Sequence, residues 1–170
     1  ALKDDGTITA WGSPQNGGSN APTDNGYVKI ASTAYAFAAL KDDGTITAWG
    51  SSDAGGTGAP DSGTYVDIFA SDWAFAALKA DGSITAWGTA GWGGGVQVDA
   101  PSSSTYVNIF STEKAFAALK ADGSITAWGN NRHGGYGEPT DNGYVTISST
   151  NSVFAAVSYT HLRAHETSLH

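Results

Sequence analysis

The hydrophobic and polar positions of this chain fall into short blocks that recur. "AFAAL" is small and apolar throughout, "(T/S)ITAW" mixes β-branched with aromatic residues, and "YVxI" alternates, with Lys, Asp, Asn or Thr at x. Blocks this short, rich in β-formers and bounded by Gly, Asp and Ser, predict strands. The first two flank Lys-Asp-Asp-Gly or Lys-Ala-Asp-Gly. Asp-Gly is a strong hairpin signal because glycine accepts positive φ, so these two blocks predict a tight antiparallel hairpin. The alanines predict a position where sheets converge and only small side chains fit. Leu40, Ile46 and Trp49 supply bulk where there is more room.

The blocks recur with a fixed period. Trp11, Trp49, Trp87 and Trp128 close four copies of the hairpin, spaced 38, 38 and 41 residues apart. The "YVxI" block follows each at Tyr27, Tyr65, Tyr106 and Tyr144, and a fifth copy opens at Phe154–Ala156 before the pattern stops. Self-similarity at such a period is the mark of a repeat architecture. Residues 1–156 thus divide into units of about 1–38, 39–76, 77–117 and 118–156. Variation is confined to two places, as expected of loops on a constant scaffold. One is the loop after Trp-Gly, where the third unit carries a three-residue insertion and Trp92. The other is the pair Ala34-Tyr35, Asp72-Trp73, Glu113-Lys114 and Asn151-Ser152 between "YVxI" and "AFAAL".

Composition agrees with an all-β chain rich in turns: 23 of 170 residues are glycine. With 16 acidic against 8 basic side chains and a formal charge of −8, a nucleic-acid surface is disfavoured, as is a generic anionic membrane. Cysteine is absent, which removes disulfides, thiolate metal sites and a cysteine nucleophile. No run has the eighteen or so apolar residues of a membrane-spanning helix. Methionine is also absent and the first residues enter mid-pattern, so the chain reads as a fragment of a longer gene product.

Chemistry is sparse. Trp11, Trp49, Trp87 and Trp128 occupy one framework position and read as core packing between repeats. The Asp-Gly turns lack the alternating oxygen ligands and closing glutamate of a calcium loop, and a hairpin turn accounts for them. The glycine pairs are followed by no lysine and no helix, unlike a phosphate loop. No serine–histidine–acid set is discernible, and His133 reads as a solvated loop residue. No catalytic residue, metal or cofactor is therefore expected. The residues the framework does not demand, Tyr35, Asp72, Trp73, Trp92, Glu113 and Lys114, are the candidate binding surface.

"AALKADGSITAWGNNRHGGYGEP", Ala117–Pro139, resembles the repeat of the regulator of chromosome condensation family, with Asn131, Gly134 and Gly137 on its spaced Asn and Gly-x-x-Gly. The short period is closer to the beta-lactamase inhibitor protein II branch. The resemblance covers residues 1–156 and implies a partial β-propeller of about four short three-stranded repeats, part of an array of about seven blades or more. It departs where the family places Ala-Gly: this chain has Ser32-Thr33, Ala70-Ser71, Ser111-Thr112 and Ser149-Thr150. In the inhibitor branch, aromatics on that loop help form the partner-binding face, and Tyr35 and Trp73 fall there. An exchange-factor role, known in the eukaryotic branch, has no residue-level support.

After Ala156 the repeat gives way to "VSYTHLRAHETSLH". His161 and His165 stand four apart beside Glu166, a spacing suited to zinc, but no third ligand is identified. Val157–Thr167 reverse-translates in frame onto the transposase adapter of short-read sequencing libraries, so residues 157–170 read as adapter-derived. The functional expectation for the rest is a non-enzymatic interaction module of a bacterial, secreted or cell-surface repeat protein, presenting loops to a protein or glycan. A spacer in a giant surface protein is the alternative, and an enzyme-inhibitor-like propeller a remoter one. Open blade faces are expected to promote self-association.

Overall fold

In the computed structural model, which describes residues 1–93 and 100–158, the regular elements are strands and single 3-10 turns. Three antiparallel sheets have three strands each. They are β1–β3 (Tyr27–Ser32, Ala36–Lys41, Ile46–Gly50), β4–β6 (Tyr65–Ala70, Ala74–Lys79, Ile84–Gly88) and β7–β9 (Tyr106–Ser111, Ala115–Lys120, Ile125–Gly129). A fourth sheet pairs β10 (Tyr144–Ser149) with β11 (Phe154–Ser158). A short hairpin bridged from Leu2 to Ile8 precedes them all. The fold is thus all-β and a partial, unclosed propeller. Its hydrogen-bonded unit begins at "YVxI", so the repeat boundaries near 38, 76 and 117 fall inside β2, β5 and β8. Val157 and Ser158 continue β11 opposite Thr146 and Tyr144, whereas His161, His165 and Glu166 lie outside the described residues.

The middle strands explain the alanines. Ala36, Ala38 and Leu40 of β2 pack with Tyr65, Ile68, Phe75 and Trp87 of the next sheet. Ala74, Ala76 and Leu78 of β5 meet Tyr106, Ile109, Phe116 and Trp128 in the same way. The core is therefore serial, lying between successive sheets. A strand covered on both faces loses its alternation, which is why "AFAAL" is apolar throughout.

"YVxI" is not a plain alternating strand. The register slips between Tyr27 and Lys29, and at the equivalent place in β4, β7 and β10. This bulge throws the valine outward, with Val28 58% and Val66 55% exposed. It also brings Tyr65 and Ile68, three apart, into one core cluster. The tyrosine hydroxyl reaches across the sheet: Tyr65 donates to Thr85 Oγ1 at 2.9 Å and Tyr106 to Thr126 Oγ1 at 2.9 Å. Lys79 lies over the Tyr65 ring at 5.4 Å, and Lys120 over Tyr106 at 5.2 Å.

The Asp-Gly turns join sheets as well as strands. Gly44 closes a three-residue loop, its N–H donating to Lys41 O at 3.0 Å with φ +84°. Asp43 Oδ1 accepts from both Thr45 N–H (2.9 Å) and Thr45 Oγ1 (2.7 Å). These bonds hold Asp43 below the usual carboxylate range, and Asp5, Asp81 and Asp122 are lowered by the same pair of bonds. Gly44 O then accepts the Tyr65 N–H of the next sheet at 3.0 Å, and Gly6, Gly82 and Gly123 do likewise for Tyr27, Tyr106 and Tyr144, each at 3.1 Å. A Cβ on Gly44 would stand 2.9 Å from Tyr65 N, so the seam itself demands glycine.

The framework tryptophans form the second seam. Trp49, Trp87 and Trp128 are buried, and each indole N–H donates to a glycine carbonyl in the preceding loop: Gly17 at 3.1 Å, Gly55 at 3.0 Å and Gly93 at 3.2 Å. Each stacks on its cross-strand phenylalanine, Phe37, Phe75 or Phe116, with centroids 5.2–5.3 Å apart. Trp11 corrects the sequence reading of a fourth core tryptophan, for it is 75% exposed. Among the described residues no glycine carbonyl accepts its indole N–H as Gly17, Gly55 and Gly93 do for the other three.

Gly44 and Gly58 separate the two roles of a left-handed glycine. Both have φ +84°, but a Cβ on Gly58 meets nothing within 4 Å. In urea unfolding, Gly58→Ala is expected to cost about 1 kcal/mol from backbone strain alone. Gly44→Ala should exceed it by at least about 1 kcal/mol because it also opens the seam. Equal losses would show that the seam contributes nothing.

Candidate interaction surface

The variable pairs sit on the turns from β1 to β2, β4 to β5, β7 to β8 and β10 to β11. In each turn a hydroxyl stands at one position, Thr33, Ser71, Thr112 or Thr150. Thr112 Oγ1 accepts the Ala115 N–H at 3.1 Å and donates to His133 O at 2.8 Å, tying the turn to the loop after β9. Thr33 does the same, accepting from Ala36 N–H at 3.0 Å and donating to Ala54 O at 3.1 Å. The hydroxyl is therefore a side-chain clasp that fastens the turn to the loop after the third strand.

Backbone bonds then link the turns. Ala34 N–H donates to Asp72 O (2.9 Å), Asp72 N–H to Glu113 O (2.9 Å), and Glu113 N–H to Asn151 O (3.0 Å). This ladder fixes the first residue of each pair, leaving the second to project sideways along one rim.

Along that rim the structure brings the sequence-selected aromatics together. Tyr35 meets Trp73 with centroids 4.9 Å apart at 55°, and Trp73 meets Trp92 edge-on at 5.4 Å and 79°. Lys114 Nζ lies 4.4 Å from the centre of the Trp92 ring. The row thus runs Tyr35–Trp73–Trp92–Lys114 across three sheets. Tyr35 is 39% exposed, whereas Trp73 and Trp92 are half-buried. Trp92 is the contribution of the long third loop, whose residues 94–99, within the insertion-bearing segment, lie outside the described residues.

Charge flanks the row. Glu113 lies 3.4 Å from Lys114 Nζ and 4.0 Å from His133 Nε2. His133, read from the sequence as a solvated loop residue, is instead held at Nδ1 by Asn130 Oδ1 at 3.0 Å. Asp72 and Glu113 also line an open polar cleft of about 410 Å³ with Asn151 and the turn hydroxyls. Partial burial, then the Glu113 carboxylate, raise the Asp72 carboxyl above the usual carboxylate value, with Lys114 opposing. Among the described residues there is no group of three or more His, Asp or Glu able to hold a metal ion. Nor is any described helix long and apolar enough to cross a membrane.

The sign of the Asp72 shift sets a pH test. Its folded-state value lies above the unfolded one, so the ionised carboxylate detracts from stability and the penalty fades as pH falls. Asp72→Asn is expected to raise stability by up to about 0.5 kcal/mol at about pH 7, solvent screening included, and to give no gain at about pH 3. Denaturant melts at the two pH values check it; a loss at about pH 7 would contradict it.

No protein-family model and no curated protein sequence matches the chain. Solved structures do. Human WBSCR16 superposes with a TM-score of 0.61 at 16% identity, over 92% of this chain and 54% of that one. The CRINKLY WD40 ectodomain of the Arabidopsis thaliana receptor kinase ACR4 gives 0.58 at 16%, over 78% and 46%. Prp20p of Saccharomyces cerevisiae, also called yeast RCC1, gives 0.59 at 18%, over 78% and 41%; its structure is described together with its binding to Gsp1p and histones. The chain spans about half the length of these proteins, and at such identities the likeness is one of fold. The segment thus has the fold of part of such a β-propeller.

Proposed function

We propose that residues 1–156 are a non-enzymatic interaction module, and that the row Tyr35–Trp73–Trp92–Lys114, with Asp72 and Glu113 beside it, is its contact surface. The observation that carries this is the convergence. Four side chains absent from the equivalent positions of the other repeats touch in sequence along one rim. Tyrosine and tryptophan at a surface, edged by charge, are the composition of an interaction hot spot. The rings are inclined at 55° and 79°, so neighbouring rings offer no coplanar platform for a flat sugar chain. This favours a protein partner over a glycan. The binding of Prp20p to Gsp1p and histones is a precedent for such a fold serving protein contacts. Acidity, lack of cysteine and Ser/Thr/Gly/Asn richness suit a bacterial secreted or cell-surface parent.

The test compares the chain with a Tyr35→Ala/Lys114→Glu variant. Both positions are partly exposed, so stability should change by no more than about 1 kcal/mol. The immobilised wild type is expected to retain a defined protein, identified by mass spectrometry, with affinity at least about tenfold above the variant's. Equal retention by both would remove the surface from the reading. No retention of protein or glycan would favour a spacer.

A further inference from the structure

Seven linkages of this chain have the makeup that rearranges most readily. They are Asn16–Gly17, Asn25–Gly26 and Asn142–Gly143, with Asp5–Gly6, Asp43–Gly44, Asp81–Gly82 and Asp122–Gly123. Glycine has no Cβ to obstruct the approach, so its backbone nitrogen can attack the side-chain carbonyl carbon of the residue before it. Two conditions govern the attack. The glycine N–H must be released from any hydrogen bond, and the side-chain carbon must be electrophilic.

The fold guards six of the seven. Gly6, Gly44 and Gly82 each donate their N–H to a lysine carbonyl at 3.0 Å, and Gly123 does so at 2.9 Å. The carboxylates before them are hydrogen-bonded by Thr7, Thr45, Ser83 and Ser124 and held below the usual range, so they stay ionised and are poor targets. Asn16 lies in a 3-10 turn, and Gly17 N–H donates to Pro14 O at 3.4 Å. Gly143 N–H donates to Asp122 O at 3.2 Å. Gly26 differs. Among the described residues no hydrogen bond engages its N–H or the side chain of Asn25, which is exposed and outside any strand. The backbone here does not demand glycine either: Thr105 precedes Tyr106 as Gly26 precedes Tyr27, with φ +85° against +88°.

We infer that Asn25–Gly26 is a self-modification site, the glycine linkage at which the folded chain deamidates ahead of the other six. Gly26 N bonds to Asn25 Cγ, and the bond from Cγ to the amide nitrogen breaks. That nitrogen departs as ammonia, carrying the proton from Gly26. Water then opens the cyclic imide to aspartate or isoaspartate at position 25. The product falls directly before two bonds of the first seam, Tyr27 N–H to Gly6 O at 3.1 Å and Asp42 N–H to Gly26 O at 3.0 Å. Isoaspartate lengthens the main chain there by a methylene. Either product adds a negative charge next to Asp24, whose carboxylate already holds the Tyr27 hydroxyl and Lys41. Conversion therefore loosens the contact between the first hairpin and the β1–β3 sheet. The site lies at the opposite end of β1 from the aromatic rim and does not depend on that surface binding anything.

The test stores the full chain in mildly alkaline buffer, folded and in urea, and maps its peptides by mass spectrometry. In the folded chain Asn25 is expected to convert at least about fivefold faster than Asn16 or Asn142, the factor an ordinary hydrogen bond costs the attacking nitrogen. In urea that preference should vanish, because the sequence alone then decides. Oxygen from isotopically labelled water should enter both aspartate and isoaspartate at position 25. Gly26→Thr, which borrows the residue of the third repeat, should fold and all but stop the conversion. The thermal midpoint of the stored wild type should fall as the converted fraction grows, and that of stored Gly26→Thr should hold. Equal conversion at the three asparagines of the folded chain overturns the inference, as does an Asn25 that stays intact. So does isoaspartate that arises first at an Asp-Gly turn. A midpoint that ignores conversion overturns the effect on the seam.

Discussion

The bond from a tryptophan indole to a glycine carbonyl of the preceding repeat is the constraint around which each blade is arranged. Trp49, Trp87 and Trp128 cannot be buried by their own sheets; each needs the loop that came before it. That loop must turn through a left-handed glycine, because a Cβ there would run into the phenylalanine on which the tryptophan stacks, at 2.7 Å for Gly17 and 2.4 Å for Gly93. Three residue types in two repeats are thereby fixed together. The consequence is directional: a blade is finished only by its predecessor, so the chain is a stack of mutually incomplete units.

Most of the framework could be read without coordinates, since strand blocks, hairpins and period each have a local physical cause. What could not be read were features whose cause lies in another repeat. Asp-Gly announced a turn, but nothing local announced that the Gly44 carbonyl would accept the Tyr65 N–H. The alternating look of "YVxI" concealed a bulge, because Tyr65 and Ile68 share a core only once the neighbouring sheet is present to bury both. Position alone puts Trp11 in the core with the other three, yet it is 75% exposed, because burial depends on packing that sequence position does not specify. On the candidate surface, exclusion from the framework was enough to single out Tyr35, Trp73, Trp92 and Lys114. Their mutual contact was not legible, since it depends on how far successive sheets are offset. His133 was missed because its neighbour Glu113 is twenty residues away in sequence.

The hydroxyl turns show how a repeat can hold shape while varying its message. Thr33, Ser71, Thr112 and Thr150 occupy one position, and the hydroxyl closes the turn in each. The clasp and the backbone ladder together satisfy the polar backbone groups of the turn without help from the side chains of the two residues that follow the clasp. Those side chains are consequently free to vary. Ala-Tyr, Asp-Trp, Glu-Lys and Asn-Ser are all accommodated on one backbone, as a scaffold for changing contacts requires.

Separation of the seams from the rim has an energetic logic. Seam residues are small, left-handed or fully hydrogen-bonded, and a change in any of them is transmitted to two sheets. Rim residues touch one another chiefly through ring edges and a lysine, contacts worth about 0.5–1.5 kcal/mol each. Such contacts suffice to pre-order Tyr35, Trp73 and Trp92 against one another and so reduce the entropy lost when a partner docks. They are too weak for the fold to depend on them. Substitution at the rim can therefore alter recognition while the indole–glycine bonds keep the blades in place.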